Sequence, residues 1–236
     1  MTDLKRSPLL VVALLLLLAA CGGTASSATP AASSVTPAPT AAALVTGEFI
    51  SKADQPEGIA LSTNGRQVIA YLCNGTLKHV SLEEWFSGPV TGAGIDITNA
   101  RGAHLVAAVS AQAITGTVTL NDGTSTPFTA RLIPHPGSDN YGLFRSEETF
   151  NGVPYLGGWI FPPPAPARAP AGTETSLTSA VYPLMIGPGP ERWGGILDKR
   201  TGALIVSPPL DKANPFRVTV PNVGTFVLTQ CLQAQC

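Results

Sequence analysis

From Ile114 to Leu132 the chain carries a pattern that a helix cannot use. Ile114, Gly116, Val118 and Leu120 alternate with Thr115, Thr117 and Thr119, then Asn121-Asp122-Gly123 intervenes, and Phe128, Ala130 and Leu132 return on one face. Successive side chains of a strand leave on opposite sides, so a period of two marks a half-buried strand and the Asn/Asp/Gly cluster marks its turn. A second unit follows, with Leu143 to Phe150, an Asn151-Gly152 turn, and Val153 to Phe161. In its return strand Val153, Tyr155, Gly157, Trp159 and Phe161 share a face, and Gly157-Gly158 in mid-strand implies a sharp bend or a close backbone approach. No stretch shows a long helical period. Charged residues make up 12% of the chain, about half the ~25% of a soluble domain. Long surface helices normally supply many Lys and Glu, so this scarcity argues against a helical bundle. The pattern predicts an all-β fold: an antiparallel sandwich, or an up-and-down or partly open barrel, with short hairpins.

Upstream, Gln67 to Cys73 is apolar on both faces, with Val68, Ala70 and Leu72 on one and Ile69, Tyr71 and Cys73 on the other. That predicts a strand covered on both sides near the centre of the fold. Pro56 to Asn74, turning at Asn64-Gly65, looks like one hairpin of a β-propeller blade. Propellers need at least four such repeats, and this one occurs once, so only the hairpin is retained. Ser81 and Glu84 fit a helix capping box, but Ser87-Gly88-Pro89 leaves room for about one turn, so Ser81 to Phe86 reads as a strand or an isolated turn. Gly94 to Thr98 and Ala103 to Val109 are further short strands, and Gly92-x-Gly94 is read as a turn. The Pro/Ala-rich stretch 162–172 breaks the pattern as a loop or linker. The tail segments Leu177–Ile186, Trp193–Leu197, Leu204–Val206, Phe216–Val220 and Val223–Thr229 are expected to pack on, or complete, the first sheet.

The N-terminus has a different grammar. Lys5 and Arg6 precede an unbroken apolar run from Leu9 to Leu18, which ends in Leu18-Ala19-Ala20-Cys21. A cationic start, a short apolar stretch and small residues at the cut describe a secretory signal, and the run is too short to be a membrane span. The Leu-Ala-Ala-Cys ending resembles the lipobox of bacterial lipoproteins. The resemblance implies a signal peptide over residues 1–20, acylation of Cys21 with cleavage before it, and a lipid anchor on the extracytoplasmic face of the cell membrane or envelope. It covers the signal only and assigns no activity to the rest. Residues 22–46 are almost wholly Ala, Ser, Thr, Pro and Gly, without charge or aromatic side chain. With Cys21 they read as a tether (21–46) ahead of a β-rich domain at 47–236.

Basic and acidic residues number 14 and 15, and loss of residues 1–20 would leave 12 and 14 with no run of either sign. A nucleic-acid partner, which needs a basic stripe, is not expected, and neither is a polybasic membrane contact. Besides Cys21 there are Cys73, Cys231 and Cys236. In an oxidising compartment these admit Cys73–Cys231, Cys231–Cys236 or Cys73–Cys236. The first is favoured, because it would tie the last strand to the central one and close a long loop. No Cys-x-x-Cys and no paired histidines at ligand spacing are present, so neither metal nor cofactor is expected. His79, His104 and His135 stand beside no nucleophile motif, and no catalytic residue is assigned. Glu83-Glu84 and Glu147-Glu148 are neighbours that a strand sends to opposite faces, and both pairs are expected at solvated edges. The remaining site candidates are aromatic: Trp85, Tyr155, Trp159 and Trp193 offer broad faces for a sugar or lipid, against the plainer reading that they are core. The expected function is a membrane-anchored module binding an envelope lipid, glycan or small ligand. A structural or protein-interaction role is the alternative, and a hydrolase without a recognisable motif ranks below both.

Overall fold

The computed structural model describes residues 44–51, 57–76, 78–92, 94–133, 141–163, 193–208 and 216–236. The expected signal segment, Cys21, nearly all of the expected tether, His135, the Pro/Ala-rich stretch beyond Pro163 and Leu177–Ile186 lie outside the described residues. Eight strands follow one another: β1 (Thr46–Ser51), β2 (Gly58–Asn64), β3 (Gln67–Cys73), β4 (Glu83–Thr91), β5 (Gly94–Thr98), β6 (His104–Val109), β7 (Ala113–Thr119) and β8 (Ser125–Leu132). Each pairs antiparallel with the next, and β8 returns to β1 through Phe49↔Leu132 and Ser51↔Ala130. The result is a closed up-and-down barrel, which leaves no free edge to aggregate. Of the architectures the alternation allowed, the barrel is the one adopted. Ser81–Phe86 resolves as the approach to β4 and its first residues, and the hairpin that resembled a propeller blade is β2–β3 of this barrel.

Strand alternation fills the lumen. Phe49, Leu61, Leu72, Phe86, Leu105 and Phe128 belong to one buried cluster inside the barrel. Eight strands leave an interior just wide enough for such side chains to occupy.

A second sheet begins with β9 (Gly142–Phe150) and β10 (Val153–Phe161), and adds β11 (Trp193–Asp198) and β12 (Leu204–Val206). After the β13 (Arg217–Val220) and β14 (Gly224–Val227) hairpin, β15 (Thr229–Gln230) joins its other edge, giving the order β12-β11-β10-β9-β15. The β9–β10 turn is the expected Asn151-Gly152 pair, with φ of 52° and 76°. Two consecutive positive φ values make the type I′ hairpin turn, which Asn-Gly tolerates best. The described tail strands therefore do not complete the barrel. They extend the second sheet or, as β13–β14, cover it.

The second sheet is sandwiched. Its inner face meets the outward residues of β1–β3, so that Ile50, Ala60, Ile69 and Tyr71 share a core with Leu143, Ile160 and Trp193. Its outer face is covered by the β13–β14 hairpin, whose Phe226 lies 5.1 Å from Phe150 and 6.0 Å from Tyr155, ring to ring. β3 is thus covered on both sides, as its double apolar pattern predicted: Val68, Ala70 and Leu72 face the lumen, and Ile69, Tyr71 and Cys73 face the second sheet. The Gly157-Gly158 pair serves close approach. A Cβ on Gly158 would stand 2.3 Å from the Tyr71 ring, so the ring lies flat on bare backbone.

The expected Cys73–Cys231 bond does not form. Cys231 is bonded to Cys236, and Cys73 is a free, buried thiol. The topology explains this. The chain just past Cys73 docks on β11, where the Gly194 amide donates to the Gly75 carbonyl at 3.1 Å. Cys231 follows β15, and its amide donates to Leu143 on β9 at 2.7 Å. β11 and β15 are separated by two intervening strands, about 14 Å at the usual strand spacing, whereas a disulfide needs Cα atoms within about 7 Å.

Candidate functional site

The four aromatic candidates do not converge. Trp193 lies on the inner face of the second sheet, where a Cβ on Gly58 of β2 would meet its indole at 2.4 Å. Trp85, on β4, stacks on Tyr71 with centroids 4.5 Å apart and carries the Arg145 guanidinium 5.2 Å above its ring. Trp159 and Tyr155 lie on the opposite face, against Phe226. The sheet itself separates the two pairs. Trp159 and Trp193 are each 2% exposed, and Trp159 Nε1 donates to Ser207 Oγ at 2.8 Å, the partner a buried indole needs. These two are core. Trp85 and Tyr155 are half-buried at the rim. A single pocket lined by all four is excluded by this geometry.

The seam between barrel and second sheet holds polar chemistry that the sequence reading missed. Glu48 on β1 shares a face with Ile50 and points at the second sheet, where it is 1% exposed. Its carboxyl accepts from Leu143 N–H and from Gln230 Nε2, each at 3.3 Å. Burial pushes this carboxyl up to about 7, against the opposing pull of those two donors. Nothing in Thr46-Gly-Glu-Phe-Ile-Ser marks the glutamate as buried except its phase with Ile50.

Glu83 is the second such group, and here a sequence expectation is corrected. Glu83 and Glu84 do point to opposite faces, but both are buried, at 1% and 7% exposure, and neither sits on a solvated edge. The β3–β4 register is the reason. Glu83 lies opposite Cys73 and faces the second sheet, while Glu84 lies opposite Leu72 at one mouth of the barrel. Glu84 is held there by Asn99 Nδ2 at 2.7 Å and Arg101 at 3.5 Å. Glu83 Oε1 accepts from Trp85 Nε1 at 3.3 Å, whereas Oε2 has no hydrogen-bond partner. Burial raises its carboxyl to about 8. The Trp85 indole and the Arg101 charge oppose that rise, and the Glu84 charge adds to it. Of the second pair, Glu147 is exposed as expected and takes Arg145 at 2.7 Å and Lys199 at 3.5 Å, whereas Glu148 is half-buried.

Tyr71 and Cys73 border Glu83. Tyr71 Oη is fully buried without a well-formed hydrogen bond, and burial lifts the phenol well above its ordinary value. Burial likewise pushes the Cys73 thiol up to about 12, although Sγ accepts from the Gly75 amide at 3.0 Å. A thiol held so firmly protonated is a poor nucleophile and a poor metal ligand. Among the described residues no three His, Cys, Asp or Glu side chains stand together at metal-binding distance. His104 pairs with Asp96 at 2.8 Å on the exposed barrel wall, and His79 sits in the β3–β4 loop, its N–H on Thr76 Oγ1 at 3.3 Å.

The third feature is the outer wall of β5–β8, which carries Asp96, Thr98, Val106, Ala108, Thr115, Ser125 and Arg131 exposed, with Thr117, Thr119 and Thr129 partly so. Cross-strand registers set the hydroxyls side by side: Thr119 and Ser125 meet at 3.0 Å, and Thr115 and Thr129 at 3.5 Å. Comparison with family models, with curated proteins and with solved structures finds no match for this chain.

Proposed function

We propose that this chain is a lipid-anchored envelope protein whose β domain works by binding at its outer surface. Cys21 supplies the anchor, residues 21–46 hold the domain off the membrane, and the hydroxyl-rich wall of β5–β8 meets an envelope component. One observation carries the choice of surface over lumen: the barrel interior is a packed apolar core, with Phe49, Leu61 and Leu105 at 0% exposure, while the β5–β8 wall stands open to solvent. A lumenal binder needs a cavity bounded by a few placed polar groups, and here the polar groups described above sit in the seam, on the wall or, as Glu84 with Asn99 and Arg101, at one mouth.

Two experiments test the two halves. Cys21→Ala, expressed in its own envelope, should leave the membrane fraction and lose the acyl mass. A variant that stays membrane-bound and acylated removes the anchor. For the surface, a photo-crosslinking residue at Thr117 on the open wall should capture an envelope component that the same residue at Thr201, on the β11–β12 turn, does not. Equal capture from both positions, or a small solute that co-purifies with the folded chain and leaves on denaturation, would overturn the surface reading.

A further inference from the structure

Two carboxyl groups lie in the seam between barrel and second sheet, and among the described residues neither forms an ion pair. Glu48 sits near the β9–β15 edge and Glu83 beneath β11, so they mark separate corners of the same interface. Their polar contacts are few and long. Glu48 has Leu143 N–H and the Gln230 amide at 3.3 Å; Glu83 has only the Trp85 indole at 3.3 Å. The glycines opposite are part of the construction. A Cβ on Gly142 would stand 2.8 Å from Glu48 Oε1, and one on Gly195 would stand 2.9 Å from Glu83 Oε2. Each acid is thus pressed against bare backbone of the second sheet, with no room for water as the sheet is seated.

We propose that Glu48 and Glu83 form a two-point, proton-held clamp: protonated, they let the second sheet seat on β1–β4, and loss of their protons to solvent lifts it. A neutral carboxyl costs little in an apolar seam. A carboxylate with one or two long donors is strongly disfavoured there unless it reaches water. Glu83 Oε2 and Tyr71 Oη both stand against Gly195, at 2.9 and 3.7 Å from the Cβ position, and neither has a well-formed hydrogen bond. Facing Glu48 are Ser62 on β2, Leu143 and Gly142 on β9 and Gln230 on β15, none of them charged. Facing Glu83 are Tyr71 and Cys73 on β3, Glu84 on β4, Arg101 from the β5–β6 loop and, across the Trp85 ring, Arg145 of β9. Arg101 gives one guanidinium N–H to the Glu83 main-chain carbonyl at 2.8 Å and pairs with the Glu84 carboxylate. Its charge is therefore already engaged. The raised carboxyls, about 7 and about 8, put the release in the neutral to mildly alkaline range.

Hydrogen exchange on the full chain in detergent, between pH 6 and 9 and corrected for the intrinsic rate at each pH, tests this directly. Amides of β9–β11 should exchange at least tenfold faster at pH 9 than at pH 6. Those of β6 and β7, on the far wall of the same barrel, should hold constant and serve as the internal control. In the Glu48→Gln, Glu83→Gln double variant the pH effect on β9–β11 should vanish. If that variant does not fold, labelling of Cys73 in the wild type decides. Located by peptide mapping and corrected for thiolate fraction, it should rise at least tenfold over the same range. Uniform exchange across both layers of the wild type, or a pH effect that survives in the folded double variant, would overturn the clamp.

Discussion

Replacing Glu83 by glutamine should weaken this protein's response to alkali, and the size of the change follows from its burial. In the unfolded chain Glu83 titrates near 4.5, and in the folded chain near 8. Between those values the folded state holds a proton that the unfolded state has released. Stability therefore falls as pH rises, and the loss is complete above the folded value. Each unit of pH in that window removes about 1.4 kcal/mol, so Glu83 alone would withdraw about 4 kcal/mol between pH 5 and 8. Glu48, raised to about 7, withdraws a further ~3 kcal/mol by pH 7. Together these approach the whole 5–15 kcal/mol stability of an ordinary domain. Glutamine keeps the shape of the neutral acid but never ionises. Its amide brings N–H donors that the seam does not fully satisfy, at a cost of about 1 kcal/mol. Urea unfolding of wild type and Glu83→Gln at pH 5, 7 and 9 should give curves of midpoint against pH that cross. The variant should be equal or slightly weaker at pH 5 and about 2–4 kcal/mol stronger at pH 9. Parallel curves over the whole range would refute the argument, since they would mean that Glu83 titrates alike folded and unfolded.

Other consequences are simpler to read. Gly158→Ala drives a methyl into the Tyr71 ring from 2.3 Å, an overpacking that should cost about 1–3 kcal/mol as a drop in urea midpoint. Phe128→Ala empties a lumenal position that is 4% exposed and should cost about 3–5 kcal/mol by the same measurement; a near-neutral result would mean the lumen is not a packed core. Nonreducing peptide mapping should find Cys231 joined to Cys236. At pH 6 Cys73 should react with iodoacetamide only after denaturation, and a Cys73–Cys231 peptide would contradict the strand order. Tyr71→Phe removes a buried hydroxyl that lacks a well-formed hydrogen bond and should leave thermal stability unchanged or raise it.

The sequence carried the class of fold at nearly every strand, because alternation and turn chemistry are local. Ile114 to Leu132 and the Asn151-Gly152 hairpin appear where they were expected, and the doubled apolar pattern of β3 announced that two layers would cover it. Two-residue periodicity says which side chains share a face. It does not say whether that face looks into a lumen, onto another sheet or out to water. That is why Glu83, with Glu84 beside it, read as an edge and proved to be buried, and why the four aromatics could be read as a site or as core and proved to lie on two sides of a sheet. Glu48 left no usable mark, since one acid in phase with one isoleucine is indistinguishable from a solvated position.

Strand content and hairpin positions were decided by the sequence alone, each by interactions within a few residues. Closure of the barrel through β8 and β1, the seating of β9–β12 on it and the partner of Cys231 were decided only by the tertiary structure. These join residues as far apart as Glu48 and Gln230, and which distant faces meet depends on the order of strands in each sheet. The charge state of the seam belongs with them: a carboxyl becomes an acid that holds its proton near neutrality only once a second sheet has taken away its water.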